Sequence, residues 1–322
     1  MRLTHWFAAV LAALLAGVVP AAAQDTPTKP VRVIVPFAVG GPADVYARII
    51  GQHLSEALKQ PFIIDNKPGA GSIVGTAEAA KSAPDGSTLL MMSNTHTTNE
   101  SLVPDRPFKL MRDFVGIAPI NSSDLVLVAH PSLGVASIKE LIALAKSKPG
   151  KVNYASSGTG TPYHMAGELF KAMTETDILH VPFKGSSGAR NDVIAGQVNM
   201  MFDAITTMAG NVEAKQVLAL ATTGKSRSAV LPSIPTMAEA GVPGYEATIW
   251  LGLMAPKGTP QPIVDRLNAE IVRIVNRAEI KAAWAKQGAE PLVMTPSEFT
   301  AYLEADIEKW AKIVKLSGAK PE

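Results

Sequence analysis

Hydrophobic and polar positions follow two rhythms along this chain. Short β-branched runs such as Val31-Arg32-Val33-Ile34-Val35 read as strands, and stretches with apolar residues three and four apart, such as Asp44–Lys59, read as helices. The spacing predicts strand 31–35, helix 44–59, strand 62–65, helix 72–81 and strand 88–92. The alternation resumes with strand 125–128, helix 138–146, strand 152–154, helix 162–173, strand 178–181 and helix 189–195. Short strands at 198–202 and 217–221 follow, then a strand at 248–254. Beyond Pro260 the periodicity is helical, over 262–277, 279–286 and 297–316, with Pro296-Ser297 as the last start and Gly318 as its stop. Strand–helix alternation of this kind predicts an α/β fold, with mixed, mostly parallel sheets flanked by helices.

The N-terminus has its own pattern. Arg2 precedes an apolar run from Trp6 to Val19, and Ala21-Ala22-Ala23 offers small residues before Gln24. That is the layout of a secretory signal peptide over residues 1–23. The run is short for a spanning helix, which needs about 20 residues. Later apolar stretches are shorter still. With no cysteine anywhere, a lipid anchor after the cleavage site is not expected, which places the mature protein free in the periplasm.

Composition narrows the function. At 322 residues there is room for two domains. The formal net charge of +2 gives no field to recruit nucleic acid or an anionic membrane. The lack of cysteine removes disulfides, thiolate zinc sites and a cysteine nucleophile.

Candidate chemistry gathers where strands hand over to helices. Phe37–Asp44, with Gly40, Gly41 and Pro42, follows the first strand. Ser93-Asn94-Thr95-His96-Thr97-Thr98-Asn99 follows the third, as a loop of short polar side chains. Ser156–Thr161 and Phe183–Gly188 occupy the matching places in the middle of the chain. Such loops present backbone N–H groups and hydroxyls at helix N-termini, which suits a carboxylate or phosphate without an arginine. The same residues also serve as ordinary caps and turns; four loops in two halves favour a ligand site.

Other signals are weaker. Gly69-Ala70-Gly71-Ser72-Ile73-Val74-Gly75 departs from a dinucleotide fingerprint in its last glycine and reads as a turn before a helix. No Gly-x-Ser-x-Gly elbow or phosphate-loop motif occurs, and Gly224-Lys225-Ser226 lacks the required preceding glycine. His53 and His130 read as surface or packing residues. His96 and His164 stand between packing and lining a pocket. Asp203 either caps a short helix or accepts a hydrogen bond from a ligand. No histidine spacing suggests a metal, and no cofactor is implied.

Several motifs occur together in one order. Pro36-Phe37-x-x-Gly40-Gly41-x-x-Asp44 comes first, then Asp65-Asn66-Lys67-Pro68-Gly69-Ala70-Gly71 and Ala83-Pro84-Asp85-Gly86. Asn153-Tyr154-Ala155-Ser156-Ser157-Gly158, His180-Val181-Pro182-Phe183-Lys184-Gly185 and Met201-Phe202-Asp203 follow. Ala238-Glu239-Ala240-Gly241-Val242-Pro243-Gly244 and Ala255-Pro256-x-Gly258-Thr259-Pro260 end the series. Over nearly the whole mature chain, this resembles the Bug family, the substrate-binding components of tripartite tricarboxylate transporters.

The resemblance implies a two-domain type II periplasmic binding protein that closes like a flytrap about two crossings. Domain 1 would take residues 24–124 and 248–322, and domain 2 residues 125–247, with crossings near 119–124 and 245–249. It implies a small carboxylate ligand: a di- or tricarboxylate, an acidic amino acid or an aromatic acid. The expected partner is a membrane permease of one large and one small subunit, served by a monomeric binding protein. By the motifs, Phe37, Gly40, Gly41, Ser93, Asn94 and Thr95 would hold the ligand from domain 1. Ser157, Thr159 and Ser187 would meet it from domain 2, with Asp203 toward its far end. Where many relatives have an apolar residue, this chain has Arg190, which either clamps a second carboxylate or is solvated. An enzyme is disfavoured because no nucleophile–base pair is visible. A periplasmic sensor subunit for a membrane kinase is the alternative, since it would use the same closed form.

Overall fold

The computed structural model describes residues 29–321; the expected leader and the first few residues after it lie outside them. The chain begins with β1 (Val31–Val35), α1 (Pro42–Leu58), β2 (Phe62–Asn66), α2 (Ile73–Ala80), β3 (Thr88–Ser93) and α3 (Asn94–Leu102). A short α4 (Leu110–Asp113) leads into β4 (Phe114–Ala129). The middle segment holds α5 (Ile138–Ser147), β5 (Asn153–Ser156), α6 (Pro162–Thr174), β6 (Leu179–Pro182) and α7 (Ser186–Ile194). It continues through β7 (Met200–Ala204), α8 (Ile205–Glu213) and β8 (Leu218–Thr222). The chain then returns with β9 (Thr248–Pro256), α9 (Gln261–Val275), α10 (Ala278–Gln287), β10 (Ala289–Pro291) and α11 (Pro296–Ser317).

The strands lie in the order β2-β1-β3-β9-β4-β7-β5-β6, with β8 and β10 also pairing with β4. Parallel pairs join β1 to β2 and β3, and β5 to β6 and β7. The expectation of mostly parallel pairing fails at the centre. There β9 runs antiparallel to β3 and β4, and β4 antiparallel to β7, β8 and β10.

The strand expected at 125–128 is in fact the end of the sixteen-residue β4. Its first part pairs with β9 from Phe114 opposite Pro256 to Asp124 opposite Thr248. The register shifts between Gly116 and Ala118 and again between Pro119 and Asn121. Such irregularities let Pro119 sit within a sheet despite its missing N–H. Near-complete burial along the strand hides the period-two signal that would have marked it. The segment expected as a connecting crossing is thus continuous strand.

Each half has apolar packing on both faces of its sheet. One half packs Val33, Ile50 and Leu267 on one face and Met92, Phe114 and Phe299 on the other. The other half packs Tyr154, Phe170 and Phe202 on one face and Val128, Ala189 and Met201 on the other. The mixed α/β class with flanking helices is as the sequence predicts.

The polar run expected as a loop is helix α3. Its backbone finds local partners that a generic polar loop lacks. Ser93 caps it by accepting from the Thr95 N–H, and the Thr97 and Thr98 hydroxyls donate back to Asn94 O at 2.9 and 2.8 Å. Asp306 of α11 accepts from Thr97 Oγ1 at 2.6 Å and from Trp250 Nε1 at 3.3 Å, tying the last helix to α3 and β9.

In α6, Gly167 packs against the Tyr154 ring so closely that a Cβ there would lie 2.2 Å from a ring carbon. The ring cannot step aside, because Tyr154 donates to Glu168 Oε1 at 2.7 Å. Gly167→Ala should cost about 1–3 kcal/mol of stability despite alanine's better helix propensity. Urea denaturation would show this as a lowered midpoint, and an unchanged midpoint would contradict the packing.

Candidate functional site

Four helices begin at one place. The N-caps are Gly41 for α1, Ser93 for α3, Thr161 for α6 and Gly185 for α7. The first two come from the β1, β3 half and the last two from the β5, β7 half. Gly41, Pro42 and Ala43, Ser93 and Thr95, Pro162 and Tyr163, and Gly185 and Ser186 line one cavity with Phe37, Ala38, Ser157, Ile249 and Leu251. No lysine or arginine lines it. A helix start carries unpaired N–H groups and about half a positive charge. Those of α1 and α7 have no side-chain cap, although the buried Asp44 carboxylate lies in the first turn of α1.

The walls touch. Ser187 Oγ donates to Val39 O at 3.0 Å across the cleft. A Cβ at Gly185 would lie 2.5 Å from Ala38 Cβ, and one at Gly71 would lie 2.3 Å from Thr159 O. Glycine at these two positions is therefore what lets the backbones of the two halves meet. The cavity measures about 20 Å³, room for about one water molecule. A wider chamber of about 420 Å³ adjoins it beside Phe37 and Ser157, reaching Gly69–Ile73, Arg106, Thr159 and Lys184.

Of the residues expected at the site, Phe37, Gly41, Ser93, Thr95 and Ser157 line the cavity. Gly40 sits exposed at the rim and spends its N–H on Asp44 Oδ2 at 3.0 Å. Ser187 is at the rim in the contact with Val39. Thr159 lines the wider chamber, with Oγ1 buried and unpaired. Asn94 turns away, donating to Thr248 O at 2.8 Å. Asp203 is wholly buried and receives Arg190 Nε at 2.8 Å and the Ala204 N–H at 2.9 Å. Arg190 is not solvated: its side chain is 13% exposed and paired with Asp203.

Tyr163 and Ser186 also line the cavity; sequence reasoning missed Tyr163 and, although it named the Phe183–Gly188 loop, did not single out Ser186. Ser186 was hidden because α7 starts at Ser186, earlier than expected, through the weak helix formers Ser186-Ser187-Gly188. Tyr163 had a usable signal, standing directly after Pro162 at the start of α6.

Neither doubtful histidine lines the cavity. His96 is buried, with Nδ1 accepting from the Ser93 N–H at 3.2 Å and Nε2 3.0 Å from Thr76 Oγ1. Because Thr76 Oγ1 donates to Ser72 O, its oxygen is left to accept from a proton on Nε2. His164 Nδ1 accepts from the Gly160 N–H at 3.1 Å, fixing the loop before α6. Among the described residues, no group of acids and histidines is placed to hold a metal ion.

Residues 46–319 match the family described as "Tripartite tricarboxylate transporter family receptor". The chain belongs to this family. It is 37% identical to protein BugT of Bordetella pertussis over 303 residues, covering 94% of this chain and 93% of BugT. Its fold superposes on that of Rpa4515 of R. palustris, solved with adipate, with a TM-score of 0.89, 34% identity, and 92% and 99% of the two chains covered. MatC from Rhodopseudomonas palustris, solved with bound malate, gives a TM-score of 0.85 and 31% identity, covering 89% of this chain and 99% of MatC. This family member is a periplasmic solute-binding protein for small carboxylates delivered to tripartite tricarboxylate transporters. Its mixed α/β fold is that of a type II periplasmic binding protein.

Burial lowers the His96 pKa to about 4, against about 6.5 in an unfolded chain. Its contribution to stability is therefore complete above pH 6.5 and is lost as pH falls from there toward 4. Titration of the His96 ring followed by NMR should show a midpoint near 4; a midpoint near 6.5 would contradict a buried neutral imidazole at this position.

Proposed function

We propose that this chain captures a small dicarboxylate between two lobes and presents it to the large and small subunits of a tripartite permease. The observation that carries the reading is the meeting of four helix starts, two from each side, at a cavity without a cationic side chain. One carboxylate would sit among Phe37, Gly41, Ser93, Thr95 and Ser157. Thr159 and Ser187 would close over it from the mouth, while Asn94 and Asp203 support the walls. The lobes would be residues 24–124 with 248–322, and 125–247, turning about the paired β4 and β9, after cleavage of the leader before Gln24. Two relatives solved with adipate and malate support a dicarboxylate over a monocarboxylate.

The test is thermal unfolding of the mature protein, first unfolded and refolded to strip carried-over ligand. The panel is malate, adipate, citrate, monocarboxylates, amines and sugars. An acid at 100 times its dissociation constant should add about 2.7 kcal/mol of stability, seen as a raised melting temperature. Shifts with dicarboxylates are expected, and shifts with amines or sugars alone would overturn the reading.

A further inference from the structure

Beside the cavity, two buried hydrogen-bond donors are left unused. The Tyr163 hydroxyl is buried without a hydrogen-bond partner, on a residue that lines the cavity. Ser186 is its neighbour, but no bond of good geometry joins the two hydroxyls. Arg190 Nη2 is also buried and unpaired, although Nε of the same guanidinium holds Asp203 at 2.8 Å. Buried donors that find no acceptor in the protein destabilise the fold, so two of them in one neighbourhood call for an explanation.

The charges around them define what they suit. Asp203 already accepts from Arg190 and Ala204, with the Thr207 hydroxyl 3.5 Å away. Its negative charge is offset by Arg190, and its oxygens are engaged, so it does not serve as an acceptor for a ligand amine. Burial and the nearby Asp203 push the Tyr163 pKa well above its usual range, which keeps the phenol protonated and donating. A group arriving at the cavity wall meets the phenol O–H, with the Arg190 guanidinium N–H in the same neighbourhood and the adjacent acid neutralised. An ammonium finds no free acceptor, a methyl leaves both donors unpaired, and a carboxylate oxygen satisfies them.

We infer that Tyr163 and Arg190 determine specificity by selecting a second carboxylate on the ligand, with Tyr163 meeting it at the cavity wall and Arg190 offering its unpaired Nη2–H beside it. This rests on the dicarboxylate reading above and adds the residues that enforce it.

The experiment is calorimetric titration of the refolded mature protein with matched acids, adipate against hexanoate and malate against 2-hydroxybutyrate. Each monocarboxylate keeps the chain length and loses only the second acid. Wild type should prefer the dicarboxylate of at least one pair. Tyr163→Phe removes only an unpaired hydroxyl, so its melting temperature without added acid should stay the same or rise slightly. Its affinity for the preferred dicarboxylate should fall roughly ten- to a hundredfold, as for a lost hydrogen bond to a charged group. Its affinity for the matched monocarboxylate should not change. Replacing the pair together, Arg190→Met with Asp203→Asn, avoids a lone buried charge and should produce the same selective loss. Equal losses for both members of a pair, or no loss, would overturn the inference while leaving carboxylate capture intact. Wild type that bound both members equally would also overturn it alone. Wild type that bound none of the four acids would overturn the dicarboxylate reading with it.

Discussion

A carboxylate taken out of water loses several kcal/mol of solvation, even after the protein relaxes around it. No arginine or lysine lines the cavity, so a carboxylate held there would be compensated mainly by oriented backbone. One helix start contributes about 0.3–1 kcal/mol, and up to about 2 when partly buried. A single start is too weak, whereas four aimed at one point reach the scale of the loss. Convergence of α1, α3, α6 and α7 is therefore the constraint that the rest of the structure serves. It explains why the first residues of α1 and α7 follow glycine and why no side chain caps them.

The constraint splits the site between two bodies. No single half can aim all four helices inward, because each sheet contributes two of the starts. The halves must approach to within backbone contact, which Gly71 and Gly185 allow against Thr159 and Ala38. For a dicarboxylate to reach the cavity of about 20 Å³ between them, they would also have to part. The connection that would permit both is the antiparallel pair β4 and β9. It runs from one half to the other with two shifts in register, and Pro119 lies at one of them.

Much of this was legible in the sequence. Of the helices that carry the site, α1 and α6 show clear amphipathic spacing, and the Gly-Gly and Ser-Gly loops stand where strands give way to helices. Five of the ten expected residues line the cavity, because Phe37, Gly41, Ser93, Thr95 and Ser157 follow directly from those loops. What was not legible has physical causes. Long β4 is buried along almost its whole length, so it lacks the alternation that marks a half-exposed strand. Helix α3 is made of residues that usually favour turns, and its stability comes from Ser93, Thr97 and Thr98 bonding to their own backbone. Arg190 looks like any charged residue near a helix start, and its burial against Asp203 depends on a strand thirteen residues further on.

The central claim is that the two halves close over an acid. The chain has no cysteine, so two can be introduced and spin-labelled without background. Val74→Cys, next to Ile73 of the wider chamber's wall, and Lys184→Cys on that wall place labels at exposed positions of the two halves. The decisive measurement is the label–label distance by pulsed electron paramagnetic resonance, on refolded protein alone and with saturating adipate or malate. The account predicts a long, broad distribution that collapses to a shorter, narrow one when the acid binds. An identical distribution with and without a bound acid would contradict it.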